Sequence, residues 1–199
     1  YGDTLARFRG QSIKLLEIGL SVARDGRACP SLAMWADWLP DADILGVDID
    51  DYAAFRHPGC RTRVVDQTDR AALATLAREE GPFDVVIDDG AHLSDAQQLS
   101  FFCLFPALKP GGLYFIEDLH WQPPGEPADA IKTRGLFRAW STGFRPDAIA
   151  RIAGRHGLPR AHVAGCLAEI AALQFFDSLA PSRPARMMAD ALLVIEKAR

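Results

Sequence analysis

The sequence has 199 residues, and its hydrophobic fraction of 49% is enough to bury one core of the size found in α/β domains. A formal net charge of -4 and scattered Lys and Arg residues argue against a nucleic-acid partner. No apolar run reaches the roughly 20 residues of a membrane span and no signal pattern opens the chain, so we expect no membrane partner and a cytoplasmic protein.

Strand and helix signals alternate in the first half of the chain. The apolar run from Ile13 to Ile18 predicts a strand, and "PSLAMWADWLP" predicts a helix capped by Ser31. The segments "DADILGVDID" and "RTRVVDQTD" predict two more strands, and the second leads into the helical "DRAALATLAREEG", which ends at Gly81. This alternation is typical of parallel strands joined by helices.

The second half begins with the same alternation and ends differently. "FDVVIDD" and "GLYFIED" predict strands, separated by a helix from Ser94 to Leu108 and the turn "LKPGG". From Gln122 to Leu173 the pattern is too weak to set boundaries. The tail "EIAALQFFDSLAPSRPARMMADALLVIEKAR", residues 169–199, predicts two strands whose connection is too short for a crossover helix. We therefore predict one domain over residues 1–199, with a mainly parallel sheet and a C-terminal antiparallel hairpin. The first residue is Tyr1 rather than Met, which is compatible with a start inside a longer protein.

Polar residues at the ends of the first two strands predict a ligand site. Ligands of open α/β sheets bind beyond the carboxyl ends of the strands. Asp48 ends the second strand and suits the two hydroxyls of a ribose, and Gly19 after the first strand lets a ligand approach the backbone. The glycine fingerprint G-x-G-x-x-G is absent, which favours a ligand without a pyrophosphate. An NAD-dependent oxidoreductase stays an alternative, because Asp48 would serve NAD equally well.

Two later strands end in paired acids, Asp88-Asp89 and Glu117-Asp118, and His92 follows the first pair. Carboxylates are costly to bury unless something positive lies among them, and a hard divalent cation takes oxygen ligands. Asp88 and Asp89 could instead cap the helix that starts near residue 94, Glu117 and Asp118 could be a solvated strand end, and His92 could be a polar loop residue.

The motifs "LLEIGL", "MWADWLPDADILGVDID", "VVDQTD", "PFDVVIDDGAH" and "LFPALKPGGLYFIEDLH" together resemble those of class I S-adenosylmethionine-dependent methyltransferases. More narrowly, they are similar to the metal-dependent macrocin and rhamnosyl sugar O-methyltransferases of antibiotic biosynthesis. The resemblance runs from about Leu15 to Trp121, and "FFDSL" with "ALLVIEK" matches the final strand pair. It implies a Rossmann-like, doubly wound sheet of seven strands.

The resemblance also implies roles for individual residues. Glu17 and Gly19 would line the methionine end of S-adenosylmethionine, Asp48 would hold the ribose, and Asp66 and Gln67 would lie beside the adenine. Asp89, Glu117 and Asp118 would bind Mg²⁺, His92 would be the general base, and Asp88 is placed with the cofactor.

The partners follow from the same resemblance. The acceptor would be a small molecule, a glycosylated metabolite, and the relatives' tendency to assemble suggests a homo-oligomer. A non-catalytic cofactor-binding or assembly subunit is an alternative, because "SVARDGRACPS" at residues 21–31 replaces a glycine-richer loop of the family.

Overall fold

A computed structural model describes residues 1–20, 28–120, 123–143, 145–177 and 191–199 of the protein. The strands in these ranges are β1 (Lys14–Ile18), β2 (Asp43–Asp48), β3 (Cys60–Val64), β4 (Phe83–Asp88), β5 (Leu108–Ile116), β6 (Ile170–Phe176) and β7 (Leu192–Lys197). The α-helices are α1 (Gly2–Leu5), α2 (Pro30–Trp38), α3 (Arg70–Glu80), α4 (Ser94–Leu104), α5 (Thr133–Arg138), α6 (Pro146–His156) and α7 (Arg160–Ala168).

The seven strands form one sheet in the order β3-β2-β1-β4-β5-β7-β6. Strands β1 to β5 run parallel, and β7 is antiparallel to both of its neighbours. The predicted α/β fold with a C-terminal hairpin is thereby confirmed. Because the chain builds outward from β1 on one side and from β4 on the other, the strand order reverses between β1 and β4, which is where open sheets bind ligands.

Alternation along the central strands gives the sheet two apolar faces. Leu16 and Ile18 of β1 belong to the core layer that includes residues of α3, α4, α6 and α7. Leu15 points the other way, into the layer that includes residues of α1 and α2. Successive side chains of a strand point to opposite faces, so a sheet covered on both sides needs apolar residues at nearly every position.

The starts of the first two crossover helices differ in how they are capped. Asp69 precedes α3, and its carboxylate accepts hydrogen bonds from the amides of Ala71 and Ala72 at 2.8 and 3.2 Å. The prediction that Ser31 caps α2 is wrong. This helix begins at Pro30, whose fixed φ suits the first helical position, and Ser31 lies inside the first turn.

The connection from α4 to β5 is shorter than predicted. The helix ends at Leu104, a 3₁₀ turn covers residues 105–107, and β5 already begins at Leu108, which pairs with Phe83. The predicted turn "LKPGG" therefore lies within β5. The register between β4 and β5 shifts after Phe83, so the extra residues form an irregularity in the strand, with Gly111 at a φ of 75°.

The segment after β5 contacts the start of α4. The amide of Ser94, the first residue of α4, donates to a carboxylate oxygen of Glu126 at 3.0 Å, and the Lys132 ammonium lies 3.2 Å from the same carboxylate. A carboxylate at a helix N-terminus satisfies an amide that has no partner within the helix. Across the described ranges, every helix is too short or too polar to cross a membrane.

Candidate functional site

The backbone holds the ends of the central strands in register at one edge of the sheet. The amide of Asp89 donates to the carbonyl of Ile18 at 2.9 Å, and the amide of Glu117 donates to the carbonyl of Asp88 at 2.9 Å. The ladder thus continues past β1, β4 and β5 into the loops that follow them. Residues placed just beyond these strands are brought side by side.

A cleft of about 740 Å³ opens at this edge, beside the point where the strand order reverses. A cleft of this volume is within the range of cofactor and ligand sites in proteins. Six of the residues that the sequence analysis assigned to the site line it: Gly19, Asp48, Asp66, Gln67, Asp89 and His92.

Two acids of the cleft are oriented by the backbone around them. The Asp48 carboxylate accepts hydrogen bonds from the amides of Leu20 at 2.8 Å and Asp50 at 3.0 Å. The Asp66 carboxylate accepts from the amide and the hydroxyl of Thr68, both at 2.7 Å. Ile49 adds an apolar surface to the cleft lining, where its side chain is exposed, with a relative exposure of 64%. The cleft therefore pairs oriented acceptors with an apolar surface, as a nucleoside requires.

Glu17 lies behind the cleft rather than in its lining, with only 2% of its surface exposed. Its carboxylate accepts from the Ser31 hydroxyl at 2.9 Å and from the Trp35 indole N–H at 3.2 Å. Burial raises the pKa of Glu17 to about 7, against the opposing effect of these two donors. The roles of Ser31 and Trp35 were missed, because helical spacing of apolar residues predicts packing and not a hydrogen bond to a buried acid.

Gly19 is packed directly against the loop after β4. Its φ is 86°, in the region that favours glycine, and a Cβ at this position would overlap the carbonyl group of Asp89. The absent side chain at Gly19 thus allows the loops after β1 and β4 to touch.

Asp89, His92 and Asp118 form a cluster of the right size for a metal ion. One ligand atom of each lies within 4.8 Å of the other two, and the His92 Nε2 is 3.5 Å from an oxygen of Asp118. Two oxygens on opposite sides of one Mg²⁺ are about 4.2 Å apart, since each bond is about 2.1 Å long. The donor set therefore fits a divalent cation, with oxygens from two strand ends.

The charges in this cluster also favour a cation. Burial, together with the nearby carboxylates of Glu117 and Asp118, raises the pKa of Asp89 to about 8. A positive ion among these groups would stabilise the ionised carboxylates and so oppose both the effect of burial and the repulsion between the acids.

Glu117 contributes its charge to the cluster and has a partner of its own. The Tyr1 hydroxyl donates a hydrogen bond to the Glu117 carboxylate, and the Tyr1 ring stacks on Phe115 with centroids 4.8 Å apart. Burial raises the pKa of Glu117, and the Tyr1 hydrogen bond opposes this. No local sequence pattern links residues 1 and 117, so this contact could not be predicted from the sequence.

Asp88 does not line the cleft and is completely buried. Its carboxylate accepts a hydrogen bond from the Gln67 side-chain amide at 2.6 Å, and burial raises its pKa to about 7. The capping alternative for the acidic pair is not observed: α4 is preceded by Leu93 without a side-chain cap, and Glu126 bonds its first amide. Asp88 is therefore placed to support the loop that carries Asp89.

Two members of the cluster have a strained backbone. His92 has a φ of 54° and Asp118 a φ of 53°, and within the described ranges no other non-glycine residue has a positive φ. Each such residue costs about 1–3 kcal/mol and persists where the surroundings impose it, often at functional sites. Burial lowers the pKa of His92, so its imidazole is neutral at pH 7 and able to accept a proton.

Part of the loop after β1 lies outside the described residues. The segment "SVARDGRACPS" was the basis for the alternative of a non-catalytic subunit, and residues 21–27 of it belong to the part that the structure does not describe.

Comparison with known proteins gave the following relatives. No protein-family model matches the chain. It is 37% identical over 173 residues to the 8-demethyl-8-alpha-L-rhamnosyl tetracenomycin-C 2'-O-methyltransferase of Streptomyces olivaceus, covering 84% of this chain and 46% of that protein. It is 34% identical over 178 residues to the demethylmacrocin O-methyltransferase of Streptomyces fradiae, covering 83% of this chain and 44% of that protein.

A solved structure is similar over the whole chain. The MycE methyltransferase from the mycinamycin biosynthetic pathway, in complex with Mg, SAH and mycinamycin VI, is 30% identical and superposes with a TM-score of 0.74 over 100% of this chain and 48% of that one. The chain thus spans about half the length of the proteins it matches. By its fold and its sequence, the chain is similar to the class I S-adenosylmethionine-dependent methyltransferases and, more narrowly, to the sugar O-methyltransferases of antibiotic pathways.

Proposed function

We propose that the protein methylates a sugar hydroxyl of a glycosylated natural product, using S-adenosylmethionine and Mg²⁺. The observation that carries this proposal is the position of Asp89 and His92, which both line the cleft and belong to the metal-sized cluster. A ligand in the cleft and an ion in the cluster would therefore share one loop. The relatives support the proposal, because the name of the first describes methyl transfer to the 2'-oxygen of a rhamnosyl compound and the name of the second describes O-methylation of demethylmacrocin.

The cofactor would lie in the cleft, across the ends of β1, β2 and β3. Asp48 is assigned to the ribose hydroxyls, because its oriented carboxylate accepts hydrogen bonds at the end of β2. Asp66 and Gln67 follow β3 and are assigned to the adenine. Gly19 and the buried Glu17 are assigned to the methionine end, where the loop after β1 approaches Asp89.

Asp89, Glu117 and Asp118 are assigned to the metal. When bound, Mg²⁺ lowers the pKa of a hydroxyl that it coordinates, and S-adenosylmethionine supplies an electrophilic methyl group. The protein's own contribution is to hold the acceptor oxygen and the cofactor within one site. Such orientation of two reactants is a large part of enzymatic rate enhancement.

His92 is assigned to the general base. Its imidazole is neutral, it faces the cleft, and the Asp118 carboxylate 3.5 Å away would stabilise the imidazolium formed when the proton is taken. His92 is also near enough to be a metal ligand. We assign it to proton transfer because Mg²⁺ prefers oxygen ligands, of which the site has enough without it.

Calorimetric titration with S-adenosylhomocysteine in the presence of Mg²⁺, with NAD as the control ligand, tests the proposed cofactor. Saturable binding of S-adenosylhomocysteine alone is the expected result. Methyl transfer to a panel of glycosylated macrolides and aromatic polyketides, with and without EDTA, then tests the reaction. Binding of NAD in place of S-adenosylhomocysteine, or methyl transfer unaffected by EDTA, would contradict the proposal.

The Gly19→Ala variant should bind S-adenosylhomocysteine at least about tenfold more weakly than wild type, a change of about 1.4 kcal/mol. The added Cβ would overlap the Asp89 carbonyl and separate the two loops that enclose the methionine end. Gly10→Ala is the matched control, because Gly10 has a φ of 72° and an open space around it. That control should lose about 1–2 kcal/mol of unfolding free energy and keep its affinity. Equal affinities in both variants would show that the contact has no role in binding.

A further inference from the structure

Two buried glutamines contact the peptides beside the two strained residues of the metal cluster. Gln67 is 7% exposed and Gln97 is 2% exposed. Neither is a ligand in the three-residue cluster, and Gln97 does not line the cleft. Both side chains instead bond backbone or side-chain groups next to His92 and Asp118.

Gln67 bridges the loop after β4. Its Nε2 donates to the Asp88 carboxylate at 2.6 Å, and its Oε1 accepts from the amide of Ala91 at 2.9 Å. The two ends of one side-chain amide thus fix the residue before Asp89 and the residue before His92. Gly90 lies between them and has no room for a Cβ, because this atom would overlap the Gln67 amide. The loop is closed tightly around this single side chain.

Gln97 performs the corresponding role at the end of β5. It extends from α4, and its Nε2 donates to the carbonyl of Glu117 at 3.0 Å. That carbonyl belongs to the peptide group that joins Glu117 to Asp118, so the hydrogen bond fixes the peptide plane on one side of the left-handed Asp118. A rotation of this plane would move both acids at once.

We propose that Gln67 and Gln97 are positioning residues that set the geometry of the metal site: Gln67 holds the loop that carries Asp89 and His92, and Gln97 holds the peptide group that joins Glu117 to Asp118. The inference rests on the proposed function, because it takes the cluster to be a metal site. Residues that orient metal ligands from behind typically change metal affinity by about 10–100-fold when they are removed. The two glutamines differ from residues that bond a metal ligand's side chain, because they hold the backbone that carries the ligands.

Gln98 provides a matched control for Gln97. It is the next residue of α4, it is completely buried, and its side-chain amide bonds the carbonyl of Ile131 and lies 3.5 Å from the Thr133 hydroxyl, away from the cluster. Substitution of either glutamine by Met keeps the side-chain length and removes the amide. Both variants should unfold at lower temperature than wild type, because each leaves a partly buried backbone carbonyl without its donor.

The decisive measurement is the binding of Mn²⁺, used as a paramagnetic substitute for Mg²⁺ and followed by electron paramagnetic resonance. Gln97→Met and Gln67→Met should raise the Mn²⁺ dissociation constant by about tenfold or more. Gln98→Met should stay within about twofold of wild type, the range of an ordinary remote substitution. If Gln97→Met does not fold, Gln97→Asn replaces it, since its amide is one methylene too short to reach the carbonyl.

The possible results separate the two hypotheses. Wild-type protein that binds no Mn²⁺ would overturn the metal site and the inference together. Mn²⁺ binding by wild type that is unchanged in Gln97→Met and Gln67→Met, or changed equally in Gln98→Met, would overturn only the inference. A Gln67→Met variant that loses S-adenosylhomocysteine affinity and keeps Mn²⁺ affinity would show that Gln67 supports only the cofactor site. This result would overturn the inference for Gln67.

Discussion

The His92→Ala variant should lose about 10²–10⁴-fold in turnover, the usual contribution of a general base. Its affinities for S-adenosylhomocysteine and Mg²⁺ should stay close to those of wild type. The neutral imidazole of His92 accepts the proton of the acceptor hydroxyl in the proposed reaction, and the carboxylates that would hold the ion remain in place. Single-turnover methyl transfer at saturating cofactor and Mg²⁺ is the measurement.

A second variant controls for the loss of a partly buried histidine. His156 also has a lowered pKa owing to burial, and its ring lies 3.3 Å from Gln98, away from the cleft. His156→Ala should therefore reduce stability and leave the rate per folded molecule unchanged. If His92→Ala instead raises the Mg²⁺ concentration for half-maximal activity and recovers full turnover at high Mg²⁺, His92 is a ligand and the assignment to proton transfer fails.

The Asp89→Asn variant should lose Mg²⁺-dependent activity and be more stable than wild type when both are kept free of metal. In the metal-free protein the Asp89 carboxylate is partly buried beside other acids, and its ionised form is destabilising. Asparagine keeps the shape and removes the charge. Thermal unfolding in EDTA should show a higher midpoint for the variant, and added Mg²⁺ should stabilise wild type but not the variant.

The difference in stability between metal-free wild type and Asp89→Asn should change with pH in one direction. Folding raises the pKa of Asp89 from its ordinary value of 3.8 to about 8, so the folded protein binds more protons than the unfolded chain between these values. The free energy of unfolding of metal-free wild type should therefore fall as the pH rises through this window. The gain in unfolding free energy of Asp89→Asn over metal-free wild type should be small at pH 4 and largest above pH 8. An advantage that is the same at both ends would show that the charge of Asp89 is not its cause.

The succession of strands along the chain and the residues at their ends could be predicted from local patterns. Five apolar runs with acids or glycine after them determined where Asp48 and Asp89 would lie, because parallel strands bring their carboxyl ends to one edge. The final hairpin followed from the short connection before β7. These features depend on the spacing of apolar residues, which a single sequence displays directly.

The contacts that support the site could not be predicted in this way. Tyr1 reaches Glu117 across 116 positions, and Gln97 reaches the same residue from within an apolar helix. Such contacts depend on tertiary packing, for which one sequence has no periodic signal. The one available hint was a pair of glutamines in "DAQQLSFFCLF", where helical packing would otherwise favour apolar residues. The bulge in β5 was missed because "KPGG" has the composition of an ordinary turn.

The reversal of strand order between β1 and β4 divides the site into two parts that are contiguous in sequence. The loops after β1, β2 and β3 provide one half, which would recognise a nucleoside, and the loops after β4 and β5 provide the other, which holds the acids and the imidazole. The halves touch where Gly19 packs against Asp89. In the proposed reaction, substitutions confined to residues 89–118 would therefore change which oxygen of the acceptor is presented, while the nucleoside half would still bind the same methyl donor.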